Sequence, residues 1–239
     1  MYTPLVFLWV PKKECVGQTP DPFHSEFQQR LKSAVEKFAN EYQPDSWCLG
    51  VFLGNEIAWP KDLVRRVFAS EKDSPAKQAF VDRLKDQYGS IERLNSVWQA
   101  NYSNWDQLRE SQDVTWSQSR EADFRELYRY FADRFYSVCK SELHEQLPNH
   151  LYLGSRVHVC PPIVAEAAAQ HVDVFSLNYY TPVAGVGNVP KIWDRPVLIT
   201  EYHFGAIDRG VPGWGLMGVL NQRERGRAFA TYLISAANA

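Results

Sequence analysis

The sequence is sparing in several things, and each shortage narrows what the chain can be. Its four cysteines (Cys15, Cys48, Cys139, Cys160) lie far apart in 239 residues, with no C-x-x-C pair. That spacing suits neither a dense disulfide framework nor a zinc site, so free, buried thiols are expected. Charge of either sign is not in excess: 26 Lys and Arg face 28 Asp and Glu, a net of −2. No basic footprint marks a nucleic-acid partner. No run approaches the roughly 18 apolar residues of a membrane helix. The opening MYTPLVFLWVPKK has a short apolar run but neither a positive leader nor a small-residue cleavage site. It does not read as a signal peptide, and localisation stays open. A G-x-S-x-G elbow, short repeats, low-complexity tracts and linkers are also missing.

What the chain has in quantity is aromatic residues: 8 Trp, 12 Tyr and 13 Phe. Most of the Phe suit a bulky core, whereas Trp and Tyr in loops offer flat amphipathic platforms for a ligand. Near-continuous apolar stretches at 4–10, 47–56, 151–159, 172–180 and 196–204 read as buried strands. Helical periodicity separates them. Phe27, Leu31, Val35 and Phe38 share one face over 25–42, and Phe124, Leu127, Phe131, Phe135 and Val138 share another over about 120–146. Shorter helices fit 161–171 and 221–239.

A long insertion occupies about 60–146. Within it Ser74 and Pro75 can start a helix that Gly89 ends, Ile91, Leu94 and Trp98 fit another, and 101–118 reads as a polar loop. Buried strands alternating with helices predict an α/β fold with a parallel sheet covered on both faces. Five strands are fewer than the eight of a closed (β/α)8 barrel. The expectation is a TIM-barrel type, incomplete, in one domain over 1–239.

Two of these strands end in a carboxylate: GVFLGNE at Glu56 and PVLITE at Glu201. In parallel α/β folds catalytic groups stand at the C-terminal ends of strands. Two facing carboxyl groups about 5–5.5 Å apart are what a retaining glycosidase needs: one ionised to attack, one protonated to donate. The plainer alternative for each is a helix cap or an ion pair at the rim.

The residues around them resemble clan A glycoside hydrolases. GVFLGNEIAWP is similar to the acid/base strand, where an Asn-Glu pair ends the fourth strand. FVDRLKDQYGSIERLNSVW resembles the stretch that follows in family 42 β-galactosidases and family 50 β-agarases, and VFSLNYY their sixth strand. LITEYHFGAIDRG, with the later NQRERG, looks most like the nucleophile strand and loop of family 50. The resemblance implies a retaining hydrolase of β-linked galactose-containing glycans that needs no cofactor or metal. Glu56 would be the acid/base and Glu201 the nucleophile. Asn55 would bond the sugar 2-hydroxyl, Tyr180 would orient the nucleophile, and Trp59, His203 and Trp214 would line sugar subsites, with ordinary packing the alternative for each aromatic. An oligosaccharide or polysaccharide is the implied partner; nucleic acid and membrane are not.

In family order the chain runs from about the third strand to the seventh helix. The arginine that usually supports the nucleophile from the second strand, and the aromatic floor from the eighth, are then missing. The competing expectation is a catalytically incomplete fragment or sugar-binding remnant, its open sheet edges covered by an oligomer or partner chain. Three other signals are set aside. GWGLMG matches G-x-G-x-x-G but lies eight residues beyond the strand, with no acid about 20 residues later. The two His of HEQLPNH are six apart across a Pro and cannot share a helix face as zinc ligands. His158 reads as a satisfied rim histidine.

Overall fold

The computed structural model describes residues 2–42, 45–159, 161–185, 194–208 and 213–238. Five short strands run parallel and in chain order. β1 (Leu5–Val6), β4 (Gly50–Leu53) and β5 (Leu151–Tyr152) form one ladder, and β6 (Phe175–Asn178) pairs with β7 (Val197–Glu201). A single parallel bridge between Val157 and Leu177 joins the chain beyond β5 to β6. A small antiparallel hairpin, β2 (Cys15–Val16) with β3 (Thr19–Pro20), precedes the first long helix.

All five predicted strands are present, but their hydrogen-bonded parts are shorter than the apolar runs. The stretch 4–10 contributes only Leu5 and Val6 to the ladder, while Phe7 and Trp9 are about three-quarters exposed. β1 has β4 as its only ladder neighbour among the described residues.

Helices α1 (Ser25–Tyr42), α6 (Glu121–Gln146), α7 (Pro162–His171) and α8 (Gln222–Ala237) follow the strand–helix alternation. The predicted apolar face of α1 is buried throughout. Between β4 and α6 lie α2 (Leu63–Phe68), α3 (Pro75–Tyr88), α4 (Ile91–Trp98) and α5 (Trp105–Glu110). Helix α3 starts with Pro75 at its first turn and ends at Gly89, as its sequence signals require.

α5 corrects the expectation of a loop over 101–118. The Asn104 side chain caps it by accepting from the Gln107 backbone N–H, and Leu108 is fully buried beneath it. One cap and one anchor sufficed where no long apolar periodicity was visible. The six-residue α2 was likewise not foreseen. Its Leu63, Val64, Val67 and Phe68 are buried, but the run is too short to reveal a period.

The core is aromatic. Phe27 stacks on Phe135 at 5.9 Å, and Trp59 meets Phe131, Phe135 and Tyr136 at 5.6–6.3 Å. A second group, Phe68, Phe80, Trp98 and Phe124, ties the insertion to α6. Inside it Asp123, 4% exposed, accepts from Gln87, the Tyr88 hydroxyl and the Trp98 indole N–H. Three donors replace the water this carboxylate loses. Burial, then the bond to Asp123, push the Tyr88 hydroxyl pKa up.

Cys48 and Cys139 are buried free thiols and Cys15 is a half-buried one; Cys160 lies outside the described residues. Among the described residues no helix is long and apolar enough to cross a membrane, and no group of three His, Cys, Asp or Glu could hold a metal.

Two predictions follow from this core. Phe135→Ala removes a fully buried ring touching three aromatics and is expected to cost about 3–5 kcal/mol, read from the urea midpoint. Cys139, its thiol pKa pushed up to about 12 by burial, should resist alkylation at pH 8 in the folded protein and react once urea unfolds it.

Candidate active site

Two neighbouring strands end in the same backbone device. After β4 the chain runs Gly54-Asn55-Glu56, and after β5 it runs Gly154-Ser155-Arg156. Both glycines have positive φ (79° and 75°), and so do Glu56 (48°) and Arg156 (49°). The two turns lie side by side: the Leu53 N–H donates to Gly154 O at 2.9 Å and the Glu56 N–H to Ser155 O at 3.0 Å. A non-glycine residue held left-handed costs of order 1–3 kcal/mol and persists only where its surroundings impose it. Here they do: the Arg156 N–H donates to Ser176 Oγ at 3.0 Å, and Ser155 Oγ lies 3.2 Å from the Tyr136 hydroxyl.

β7 reaches the same end. Its register with β6 shifts after Leu177, so that Asn178 pairs with Glu201 and Thr200 is the extra residue. A bulge re-aims the side chains beside it. Asn178, with no exposed surface, thereby faces both acids. Its Nδ2 donates to Glu56 Oε1 at 2.8 Å and to Glu201 Oε2 at 3.3 Å. One nitrogen touching both bounds the separation of those oxygens at about 6 Å, close to the spacing of a retaining pair. The Thr200 hydroxyl lies 2.7 Å from Asn178 Oδ1, which turns the amide nitrogen toward the carboxylates.

Glu201 is held on both oxygens. The Arg156 guanidinium donates to Oε2 at 2.6 Å, and the Tyr180 hydroxyl donates to Oε1. Arg156 is 18% exposed and Glu201 43% exposed at their side chains, so the pair is partly desolvated but open to a ligand. Such a charge-assisted contact is stronger than a neutral one. Glu56, by contrast, is exposed and meets only the amide among the described residues. The two carboxyl groups therefore sit in unlike surroundings.

The remaining predicted residues divide. Asn55 follows Gly54 at this end, and its buried Oδ1 has no partner among the described residues. His203 packs edge-on against Tyr180 at 5.2 Å, and its Nε2 accepts the Leu216 N–H at 3.0 Å. Trp214 is half exposed on the loop that folds back onto the chain after β7 through the Gly205–Gly218 bridge. His158, as expected of a rim histidine, is satisfied: its Nδ1 lies 3.2 Å from Asn178 O and its ring against Tyr180.

Trp59 is set in the core. It is 6% exposed and enclosed by Phe131, Phe135 and Tyr136, so ordinary packing describes its setting, although its indole N–H has no partner among the described residues. Sequence reasoning missed Arg156, Asn178 and Thr200. A signal existed for the first, since Gly-Ser-Arg after one strand repeats Gly-Asn-Glu after its neighbour. Nothing in the sequence announced the bulge that brings in the other two.

The fold is that of a (β/α)8-type glycoside hydrolase, and comparison with known proteins agrees. The chain belongs to glycoside hydrolase family 42, whose profile, described as β-galactosidase, matches residues 15–192. It is 33% identical to β-agarase B of Vibrio sp. (strain JT0107) over 93% of this chain and 25% of that protein. It is 32% identical to β-agarase A of the same strain, over 87% of this chain and 24% of that one. The chain thus spans about a quarter of the length of these two relatives.

Among solved structures, that of an agarase superposes with a TM-score of 0.89 at 34% identity, over 98% of this chain and 36% of the other. An exo-β-agarase gives 0.89 at 27% identity, over 98% and 34%. A β-galactosidase from Marinomonas ef1 shares the fold at 0.50 and 18% identity, over 71% and 26%.

The geometry carries its own prediction. Thr200→Val leaves the buried Asn178 oxygen without that hydroxyl and should cost about 1–3 kcal/mol in urea unfolding, while Thr200→Ser should retain most of the stability.

Proposed function

We propose that this chain carries the catalytic pair of a retaining glycoside hydrolase acting on β-linked galactose-containing glycans, with agarose-like oligosaccharides the favoured substrate and small β-galactosides second. We read 1–239 as one partial barrel unit with a helical insertion at about 60–146. The single observation that carries the proposal is the Asn178 amide within hydrogen-bond distance of both Glu56 and Glu201. The similarity to agarases supports the substrate class.

Glu201, ionised, attacks the anomeric carbon as the bond to the leaving oxygen breaks, and Glu56 gives its proton to that oxygen. Glu56, now a carboxylate, takes a proton from water. The water attacks the same carbon and releases Glu201, so configuration is retained. Arg156 and Tyr180 fix the attacking group and spread its charge. The resemblance leads one to expect an arginine from the second strand for that purpose; Arg156 brings a guanidinium to the same carboxylate from the end of β5. The unpartnered Oδ1 of Asn55 suits a sugar hydroxyl.

A second reading has its own observation. β1 and β7 each lack an outer ladder partner among the described residues. Phe7, Trp9, Leu220, Phe229, Leu233 and Ile234 are exposed. Sheet edges and apolar faces of this kind are normally covered. In this reading the chain turns over substrate only when additional strands, from further chain or a partner, complete the barrel.

Incubating the purified chain with agarose oligosaccharides and a chromogenic β-galactoside separates the two. Turnover that Glu201→Gln abolishes is expected under the first reading, and a variant that keeps its rate removes Glu201 from the role. Inactive but folded protein favours the second. Where turnover is seen, Arg156→Met should lower kcat about 10²-fold with little change in KM, because the nucleophile loses its alignment. Glu56→Gln should slow oligosaccharide cleavage about 10²–10⁴-fold. With an activated aryl galactoside, whose leaving group needs no proton, kcat/KM should be largely spared while kcat falls, because release of Glu201 by water still lacks its base.

A further inference from the structure

A cavity of about 610 Å³ lies away from the carboxylates but at the same end of the strands. Helices run back along the sheet in a βα unit, so their first turns stand where the strands end. The cavity is lined by the beginnings of α2, α6 and α7, through Val64, Phe124, Tyr128 and Ile163, and by Trp116 from the stretch before α6. It also reaches Lys61, five residues after Glu56 and so within about 18 Å of it by chain length. The link is rigid: the Tyr128 hydroxyl donates to Pro60 O at 3.0 Å, and Trp59 is locked in the core beside it.

The lining has the chemistry of a sugar site. Trp116 is 61% exposed, a large flat apolar surface that the fold itself does not use. Around it stand Lys61, Arg65 and Arg125 against Asp62, Glu121 and Glu166. Three cations and three anions cancel, so the cavity favours neither an anionic nor a cationic ligand. Arg65 is paired with Asp62 at 2.6 Å and Glu166 with Arg129 at 3.2 Å. Lys61, Glu121 and Arg125 have no ion-pair partner among the described residues, which leaves donors and an acceptor for hydroxyls. An apolar platform ringed by a few polar groups is the usual build of a small-ligand site.

We propose that this cavity is a distal subsite for the neutral glycan chain, with Trp116 stacking on a sugar ring several units from the bond cleaved. The assignment rests on the glycan reading above and deepens it: the protein would grip an extended, uncharged oligosaccharide rather than a single β-galactoside.

Calorimetry on the full chain carrying Glu201→Gln tests it, with an agarose disaccharide, an agarose octasaccharide and a sulfated galactan octasaccharide as probes. Trp116→Ala should weaken the neutral octasaccharide about tenfold and leave the disaccharide unchanged, as expected for losing one aromatic contact. Trp116→Phe should restore most of the affinity, and thermal unfolding should not move, since the ring is exposed. An unchanged octasaccharide affinity, or equal losses for both lengths, overturns the subsite while leaving the glycan reading intact. Tighter binding of the sulfated chain overturns its neutral assignment. Failure of both neutral sugars to bind the Glu201→Gln chain overturns the glycan reading, and this inference with it.

Discussion

One amide organises this end of the molecule. The Asn178 nitrogen holds Glu56 and Glu201 within reach of each other, one bond to each. The arrangement holds because charge and hydrogen bonds are supplied around it. Arg156 places a cation on Glu201, the Tyr180 hydroxyl takes the other oxygen, and Thr200 keeps the amide nitrogen turned inward. None of these donors is close to Glu56 in the chain. Each arrives from a different strand, so the constellation exists only when β4, β5, β6 and β7 stand in parallel register.

The parallel order explains why much of this was legible from the sequence and why some was not. Runs such as GVFLGNE and PVLITE declared themselves because a strand buried on both faces must be apolar throughout, and a charge at its end is then conspicuous. The long helices were equally plain, since α1 and α6 carry their apolar residues at helical spacing over many turns. α5 escaped because six residues are too few for a period, and its cap and single buried leucine are local signals. The bulge between Leu177 and Asn178 escaped for another reason. It arises from how β6 and β7 fit together, which neither strand encodes alone. Trp59 came from the resemblance as a subsite residue, with ordinary packing as its alternative, and its ring lies among Phe131, Phe135 and Tyr136.

Solidity is unevenly distributed over the structure. The helical insertion and α6 enclose a dense aromatic core with Asp123 at its polar centre, whereas among the described residues the end carrying α8 holds a small cluster around Phe204 and Tyr232. The Tyr232 hydroxyl donates to Tyr179 O at 2.8 Å and its ring stacks on Tyr202, so this cluster pins α8 beside the very residues that hold Glu201. Among the described residues, one carboxylate thus stands beside the larger core and the other beside the smaller cluster.

The twin turns at Gly54–Glu56 and Gly154–Arg156 tie chemistry to conformational cost. Glycine or asparagine would occupy positions 56 and 156 more comfortably than the residues found there. At these two places backbone comfort and side-chain chemistry pull in opposite directions, and a glycine put there would gain the first by surrendering the second.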